Sequence, residues 1–230
     1  MKFIIIIFSL FLMNSCAVSQ NKKDDLKQEL TEILQSDQEL RELFTPNITV
    51  ERKTEILIKY KISEEDFNKR NWKITEENDS LNLIKIEKII KKYGYPGKTL
   101  VGEKQSTAVW YVVQHSKLST IEKYFPLMEK ANKNGDLKDT HIAMMKDRML
   151  MYQGKEQIYG TQGAGRLFIN PKTKEEEWTN FIWPIKNWKE VNELRKSVGF
   201  NETIEEYAKS LEMDISKKYT IEEIESLTKK

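Results

Sequence analysis

The chain has 230 residues, and its 38 Lys and Arg against 36 Asp and Glu give a formal net charge of +2 at pH 7. This balance creates no broad electrostatic field, which excludes nucleic acid as a partner held by overall charge. One cysteine excludes an intramolecular disulfide, and two histidines without clustered acids leave too few ligands for zinc. We predict no metal site and no cofactor. The sequence also has no Walker loop for phosphate binding and no G-x-S-x-G elbow for a nucleophilic serine.

The N-terminus, MKFIIIIFSLFLMNSCAVSQ, has the pattern of a signal peptide. Its apolar run from Phe3 to Met13 is shorter than the roughly 20 residues that a membrane-spanning helix needs. The segment LMNSC resembles a bacterial lipobox, in which cleavage precedes a cysteine that then carries lipid. We therefore expect residues 1–15 to be a signal peptide, Cys16 to be lipidated and residues 16–25 to be a tether. The alternative is a plain secretory signal with an incidental cysteine.

Lipidation would place the protein in the bacterial cell envelope, with the membrane as a partner through the N-terminal lipid. No Asp follows Cys16 directly, and the sorting rule known from enteric bacteria then favours the outer membrane.

Most of the remaining chain has the apolar spacing of helices. The segment Val50 to Tyr60 fits either a helix or a strand. Pro126 lies inside one predicted helix and should kink it or mark its true start. Short connections between the later helices predict antiparallel neighbours. The helices predicted in this part are 26–44, 81–90, 104–115, 120–132 and 137–152.

The pattern changes after Gly154, where Ile, Tyr, Phe, Thr and Trp become frequent. Residues 157–170 and 178–183 predict an antiparallel hairpin. Helices at 187–198 and 203–211 follow it. The fold class is therefore mainly α, a compact antiparallel helical domain over residues 26–212 with one hairpin at about 157–183 towards its C-terminal side. Residues 213–230 form a charged C-terminal helix or tail.

Six segments in order, SDQELR, YGYPGKTLVGEK, WYVVQHSKL, MMKDRML, GKEQIYGTQ and WPIKNWKEVNELRKSVGF, resemble one bacterial family known as domain of unknown function 6624. The resemblance covers most of residues 33–211, and residues 47–71 look like an insertion in the family pattern. It implies a mostly helical fold and brings no established chemistry. The recurrent polar positions that it implies are Asp37, Gln38, Arg41, Gln114, His115, Asp147, Arg148, Gln157, Tyr159, Thr161, Gln162 and Arg195.

His115 is the main candidate for acid-base chemistry, because an imidazole can accept or donate a proton near neutral pH. It needs an orienting carboxylate, and Asp37 and Asp147 both qualify as lone acids on apolar helix segments. The alternative is structural: His115 caps its helix, while each acid pairs with Arg41 or Arg148.

The polar loop YQGKEQIYGTQGAGR raises a second question. If its first part is a strand, Gln157, Tyr159 and Thr161 share one face and Gln162 points the other way, unless a bulge at Gly160 redirects it. These side chains can bind the polar groups of a peptide or carbohydrate. They can also lock the hairpin onto the helices by hydrogen bonds.

Two functions remain open. The first is a lipid-anchored binding or scaffolding module, and the second is a hydrolase-like enzyme with His115 as general base oriented by Asp37 or Asp147. The catalytic candidates are His115, Asp147 and Asp37. The binding candidates are Gln114, Arg148, Gln157, Tyr159, Thr161 and Gln162.

Overall fold

The computed structural model describes residues 3–45, 47–70, 72–170 and 172–228, with side chains from Lys22 onward. The described chain is mainly helical with one two-stranded antiparallel hairpin, which confirms the predicted fold class. It divides into two compact units, Met1–Ser116 and Lys117–Lys230. The boundary between them falls inside residues 26–212, for which the sequence predicted a single domain. No described helix is both long and apolar enough to cross a membrane.

The first unit consists of helices. Val50–Lys59 is helical, which resolves the alternative that the sequence left open, and the predicted insertion supplies two helices of its own. The first helix begins at Phe3 and runs continuously through the segments predicted as signal peptide and tether. The helices are α1 (Phe3–Glu42), α2 (Val50–Lys59), α3 (Glu64–Arg70), α4 (Trp72–Tyr93), α5 (Lys98–Val101), α6 (Glu103–Ser106) and α7 (Ala108–Gln114).

Helix α7 lies at the centre of this unit, and six of its seven residues are buried. It packs against α1 and α4, which bury Leu30, Ile33 and Ile86. Burying one such aliphatic side chain stabilises the fold by about 1.5–3 kcal/mol. This packing fixes the end of α7, so His115, its C-terminal cap residue, occupies a defined position.

The second unit combines helices with the hairpin. Helix α8 begins at Leu118 and continues through Pro126, so the proline does not mark its start. The C-terminal tail contains a helix whose Ile224 is buried in a cluster with Phe168 and Phe181 of the hairpin. The elements are α8 (Leu118–Lys133), α9 (Asp139–Tyr152), β1 (Gly163–Ile169), β2 (Glu176–Ile182), α10 (Val191–Ser197), α11 (Ile204–Ser210) and α12 (Ile221–Leu227).

The first strand begins at Gly163, six residues after the predicted start at residue 157. Gly163 pairs with Ile182 of the second strand. Residues 157–162 form a loop, so the predicted strand face shared by residues 157, 159 and 161 is wrong. The physical reason is Gly160, whose φ of +68° interrupts an extended backbone. A Cβ at Gly160 would lie 2.7 Å from Ile204 Cδ1 and 2.8 Å from Ile185 Cδ1. Glycine therefore provides both the turn and the space for close packing.

Candidate functional site

Asp147 of α9 is fully buried and binds the loop of residues 157–162. One oxygen, Oδ1, accepts the backbone N–H of Ile158 at 2.8 Å. The other, Oδ2, accepts the N–H of Tyr159 at 3.0 Å and both the N–H and the hydroxyl of Thr161 at 3.1 and 3.0 Å. Burial raises the pKa of Asp147, and these hydrogen bonds, which favour the carboxylate, offset only part of that effect. Asp147 is thus the anchor of the loop.

Gln157 closes the same loop from within, and its side chain is 0 % exposed. Its amide N–H group donates to the carbonyl oxygens of Gln162 and Trp183 at 2.9 and 2.7 Å, while its Oε1 accepts the N–H of Gln162 at 2.8 Å. A neutral amide suits this position because it both donates and accepts. The Gln162 side chain in turn donates to Thr161 Oγ1 at 3.0 Å.

Arg195 of α10 donates hydrogen bonds to backbone carbonyl groups, one of which belongs to the loop of residues 157–162. Its Nη1 donates to the Tyr159 carbonyl at 3.0 Å, and its Nε donates to the Glu202 carbonyl. The guanidinium lies over the rings of Phe200 and Tyr207, and the Tyr207 hydroxyl donates to the Thr161 carbonyl at 2.9 Å. Burial lowers the pKa of Arg195, but arginine remains charged because its ordinary value is so high. Together these contacts bind backbone groups of Ile158, Tyr159, Thr161 and Gln162, so the loop's glutamines and threonine take part in holding the loop in place.

The first unit contains a different polar cluster around Asp37 of α1. This side chain is also 0 % exposed, but its partners are side chains. His115 Nδ1 lies 3.2 Å from Asp37 Oδ1, and the Gln38 amide donates to Asp37 Oδ2 at 2.6 Å. The His115 side chain keeps 15 % of its surface exposed. Of the two acids that the sequence offered, Asp37 is therefore the one that orients His115.

Arg41 connects this cluster to α4. It forms a bidentate pair with Asp79 at 3.1 and 2.8 Å, and its Nη1 lies 3.9 Å from Asp37 Oδ1. Burial alone would raise the pKa of Asp37. The hydrogen bond and charge of His115, the charge of Arg41 and the Gln38 contact outweigh burial and lower this pKa below its ordinary value. Asp37 is therefore an ionised acceptor whose charge lies beside the His115 ring.

A cleft of about 360 Å³ opens beside this cluster between α1, α6 and α7. Gln38 joins the two features, because it lines the cleft and donates to Asp37. Glu39 and Glu42 also line it but already form ion pairs with Lys59 and Arg52. The lining is Leu34, Gln35, Gln38, Glu39, Glu42, Lys104, Thr107 and Tyr111. Its neutral amides and hydroxyls can donate to and accept from a polar ligand.

The predicted site residues divide between the two units. Asp37, Gln114 and His115 belong to the first unit, and Gln114 is buried at the end of α7. The second unit contains Asp147, Arg148, Gln157, Tyr159, Thr161 and Gln162. Within the described ranges, no group of three His, Cys, Asp or Glu side chains is placed to hold a metal ion. Cys16 lies before the first described side chain.

Sequence reasoning missed two features of these clusters. Tyr111 and Lys104 line the cleft, and Tyr111 precedes His115 by four residues, the helical spacing that places both on one side of α7. Asp79 was hidden in a charged stretch, although it neutralises Arg41. The helical period could have found Tyr111, whereas no local signal pairs residues 41 and 79.

Residues 24–219 match the model of a family of unknown function, DUF6624. This match covers most of the chain, which therefore belongs to that family. No curated protein and no solved structure matches the chain.

Proposed function

We propose that the protein is a lipid-anchored binding module of the bacterial cell envelope, and that its first unit takes a polar ligand in the α1–α7 cleft. The observation that carries the proposal is Gln38, which lines the cleft and contacts the buried Asp37 that holds His115. The cleft's acids are already paired, so the ligand is recognised through hydrogen bonds to neutral amides and hydroxyls, with Lys104 as a further donor. Amide and hydroxyl groups of peptides or carbohydrates fit this chemistry.

Tyr111 provides the sharpest test of binding. The probes are soluble N-acetylglucosamine oligomers and short alanine-containing peptides, titrated while the NMR signals of the His115 ring are followed. We expect one probe class to shift these signals and Tyr111→Leu to weaken that binding at least about tenfold, since it removes a ring face and a hydroxyl together. Tyr93→Leu, which changes a tyrosine of the same unit outside this cleft, should bind as the unaltered chain does. Unchanged signals with both probes would contradict the proposal.

The second candidate function is a hydrolase-like enzyme, and the Asp37–His115 contact specifically favours it. A carboxylate on Nδ1 fixes the ring and strengthens the imidazole as a general base. Hydrolysis of model ester, amide or glycoside substrates should then fall by about 10²–10⁴ in His115→Gln, which is the usual contribution of a general base. Activity that survives His115→Gln, or that is absent altogether, would leave binding as the function.

Lipid anchoring has its own test at Cys16. In Cys16→Ser the acyl attachment point is lost, so the protein should leave the detergent-extracted membrane fraction for the soluble envelope fraction. We expect the unaltered protein to fractionate with the outer membrane. Equal membrane partitioning of both proteins would refute the lipid anchor.

A further inference from the structure

Helix α4 exposes a stripe of apolar and basic side chains from its middle to its C-terminal end. Leu81 and Ile84 are 60 % and 51 % exposed. At 100° per residue, the stripe occupies roughly a third of the helix circumference. The α4 stripe consists of Leu81, Ile84, Lys85, Lys88, Lys91 and Lys92, all of them exposed. Among the described residues 81–93, every exposed charged side chain is a lysine.

The opposite side of α4 explains why the stripe stays outside. Asn82, Ile86 and Ile89 are buried, and Asn82 contacts Ser36 of α1 at 3.0 Å. This face fixes the rotation of the helix in the first unit. The exposed leucine and isoleucine are therefore held in water by a rigid helix, and leaving water would be favourable for both.

The stripe lies next to the start of the described side chains. A cleft of about 310 Å³ is lined by Lys88, Ile89, Lys92 and Tyr93 of α4 together with the middle of α1. The α1 residues that line it are Lys22, Asp25, Leu26 and Glu29. Lys22 follows Cys16 by only six positions, and a lipid on that cysteine would bring this end of the unit to a membrane. Asp25 and Glu29 balance part of the positive charge, but the lysines on both helices outnumber them.

We propose that the α4 stripe is a membrane-docking surface that binds anionic lipid headgroups, with Leu81 and Ile84 entering the interfacial layer. Lysines near an anionic surface gain electrostatic attraction, and neighbouring apolar side chains enter the headgroup region. Tyr93 adds an amphipathic ring at the same end of the helix, with Lys92 Nζ 4.7 Å from its centroid. The inference rests on the proposed lipid anchor, since the acyl chains supply most of the membrane affinity and the stripe sets the orientation.

The test measures lipid binding without any acyl chain. The mature chain from residue 16, carrying Cys16→Ser, is sedimented with vesicles of phosphatidylcholine alone or with about 30 mol% phosphatidylglycerol added, enough to make the surface anionic. We expect binding to the anionic vesicles only, and weaker binding as salt rises. Because no lipid is attached, failure here is distinguishable from failure of the anchor, which the fractionation of Cys16→Ser tests separately.

Two variants separate the stripe from net charge. The stripe variant carries Lys85→Gln, Lys88→Gln, Lys91→Gln and Lys92→Gln, and the control carries Lys130→Gln, Lys133→Gln, Lys189→Gln and Lys196→Gln, which are exposed lysines of the second unit. The net charge changes equally in both, but we expect only the stripe variant to lose at least about tenfold in partitioning.

The apolar part of the stripe has its own variant. The double variant Leu81→Ser with Ile84→Ser should weaken binding at low salt. Its helical content, measured by circular dichroism, should stay unchanged because both replaced side chains are exposed. Equal loss in the two lysine variants, or no binding of the Cys16→Ser chain with an intact stripe to anionic vesicles, would overturn the proposal.

Discussion

Two buried aspartates, one in each unit, have the same exposure and opposite surroundings. Asp147 binds backbone N–H groups and one hydroxyl of the loop of residues 157–162. Asp37 binds the side chains of His115 and Gln38 and lies near Arg41. A carboxylate that is surrounded by backbone donors fixes a chain path. A carboxylate that is surrounded by titratable and amide side chains can exchange partners and respond to a ligand.

The pKa values of the two aspartates shift in opposite directions, in agreement with their different hydrogen-bonding partners. Burial raises the pKa of Asp147, and the hydrogen bonds from the loop backbone and the Thr161 hydroxyl compensate for only part of this effect. For Asp37 burial acts in the same direction, but His115, Arg41 and Gln38 reverse the result. The hydrogen-bonding partners of Asp37 are therefore side chains, whereas those of Asp147 are mainly backbone N–H groups. This comparison is the reason that we propose the candidate chemistry for the first unit.

The largest expected effect concerns Asp147→Ala. It leaves four donors of the loop without their acceptor in a buried place, at about 1–3 kcal/mol for each group that finds no substitute. We expect the free energy of unfolding of the second unit to fall by about 3–5 kcal/mol, since part of the loop will reach water. Urea titration followed by tryptophan fluorescence measures this loss.

The matched control for that variant is Glu156→Ala, which removes an exposed acid beside the same loop. It should change stability by no more than about 0.5 kcal/mol. Similar losses in both variants would show that Asp147 is not the anchor of the loop.

A smaller effect is expected for Asp37→Asn, and it depends on pH. Because the folded pKa of Asp37 lies below its ordinary value near 3.8, its stabilisation is fully present above that value and is lost as pH falls through the folded pKa. Above pH 5 the variant should be less stable by about 1–3 kcal/mol, since the carboxylate's charge-assisted contacts are lost. Unfolding titrations followed through the buried Trp110 of the same unit measure both quantities.

At low pH the two proteins should converge, because protonation removes the same charge that the substitution removes. Asp25→Asn, an exposed acid on the same helix, should retain the pH dependence of the unaltered chain. A constant difference between the unaltered chain and Asp37→Asn at every pH would contradict the ionic role of Asp37.

Most of the longer helices were predictable because their apolar spacing is local, but residues 64–70 were not assigned to a helix and the predicted helix 104–115 is divided into α6 and α7. In the predicted helix 26–44, Leu26, Leu30, Ile33 and Leu40 lie at helical spacing, and all four are buried in α1. His115 was predictable as a candidate, but its partner was not, since Asp37 lies 78 residues away and Asp147 matched the same pattern. Only tertiary packing distinguishes two lone acids on two apolar helices.

The loop of residues 157–162 was mistaken for a strand because its composition is typical of strands. Gln157 forms one isolated bridge with Ile185, and its side chain then replaces strand pairing with hydrogen bonds to Gln162 and Trp183. Glutamine is usually exposed, so composition gave no reason to expect a fully buried amide. The sequence suggested a bulge at Gly160. The close packing of Ile185 and Ile204 against this glycine depends on tertiary structure and could not be predicted locally.

The smallest expected effect separates two tyrosines of the second unit. The Tyr207 hydroxyl donates to the Thr161 carbonyl at 2.9 Å, whereas no hydrogen bond joins the Tyr159 hydroxyl to another described residue. Tyr207→Phe keeps the ring beneath Arg195 and leaves a buried carbonyl unsatisfied, so we expect it to lower the free energy of unfolding by about 1–2 kcal/mol. Tyr159→Phe, its matched control, should stay within about 0.5 kcal/mol. Both values come from urea titrations under identical conditions, and a larger loss in Tyr159→Phe than in Tyr207→Phe would show that the loop is held through the Tyr159 side chain instead of its backbone.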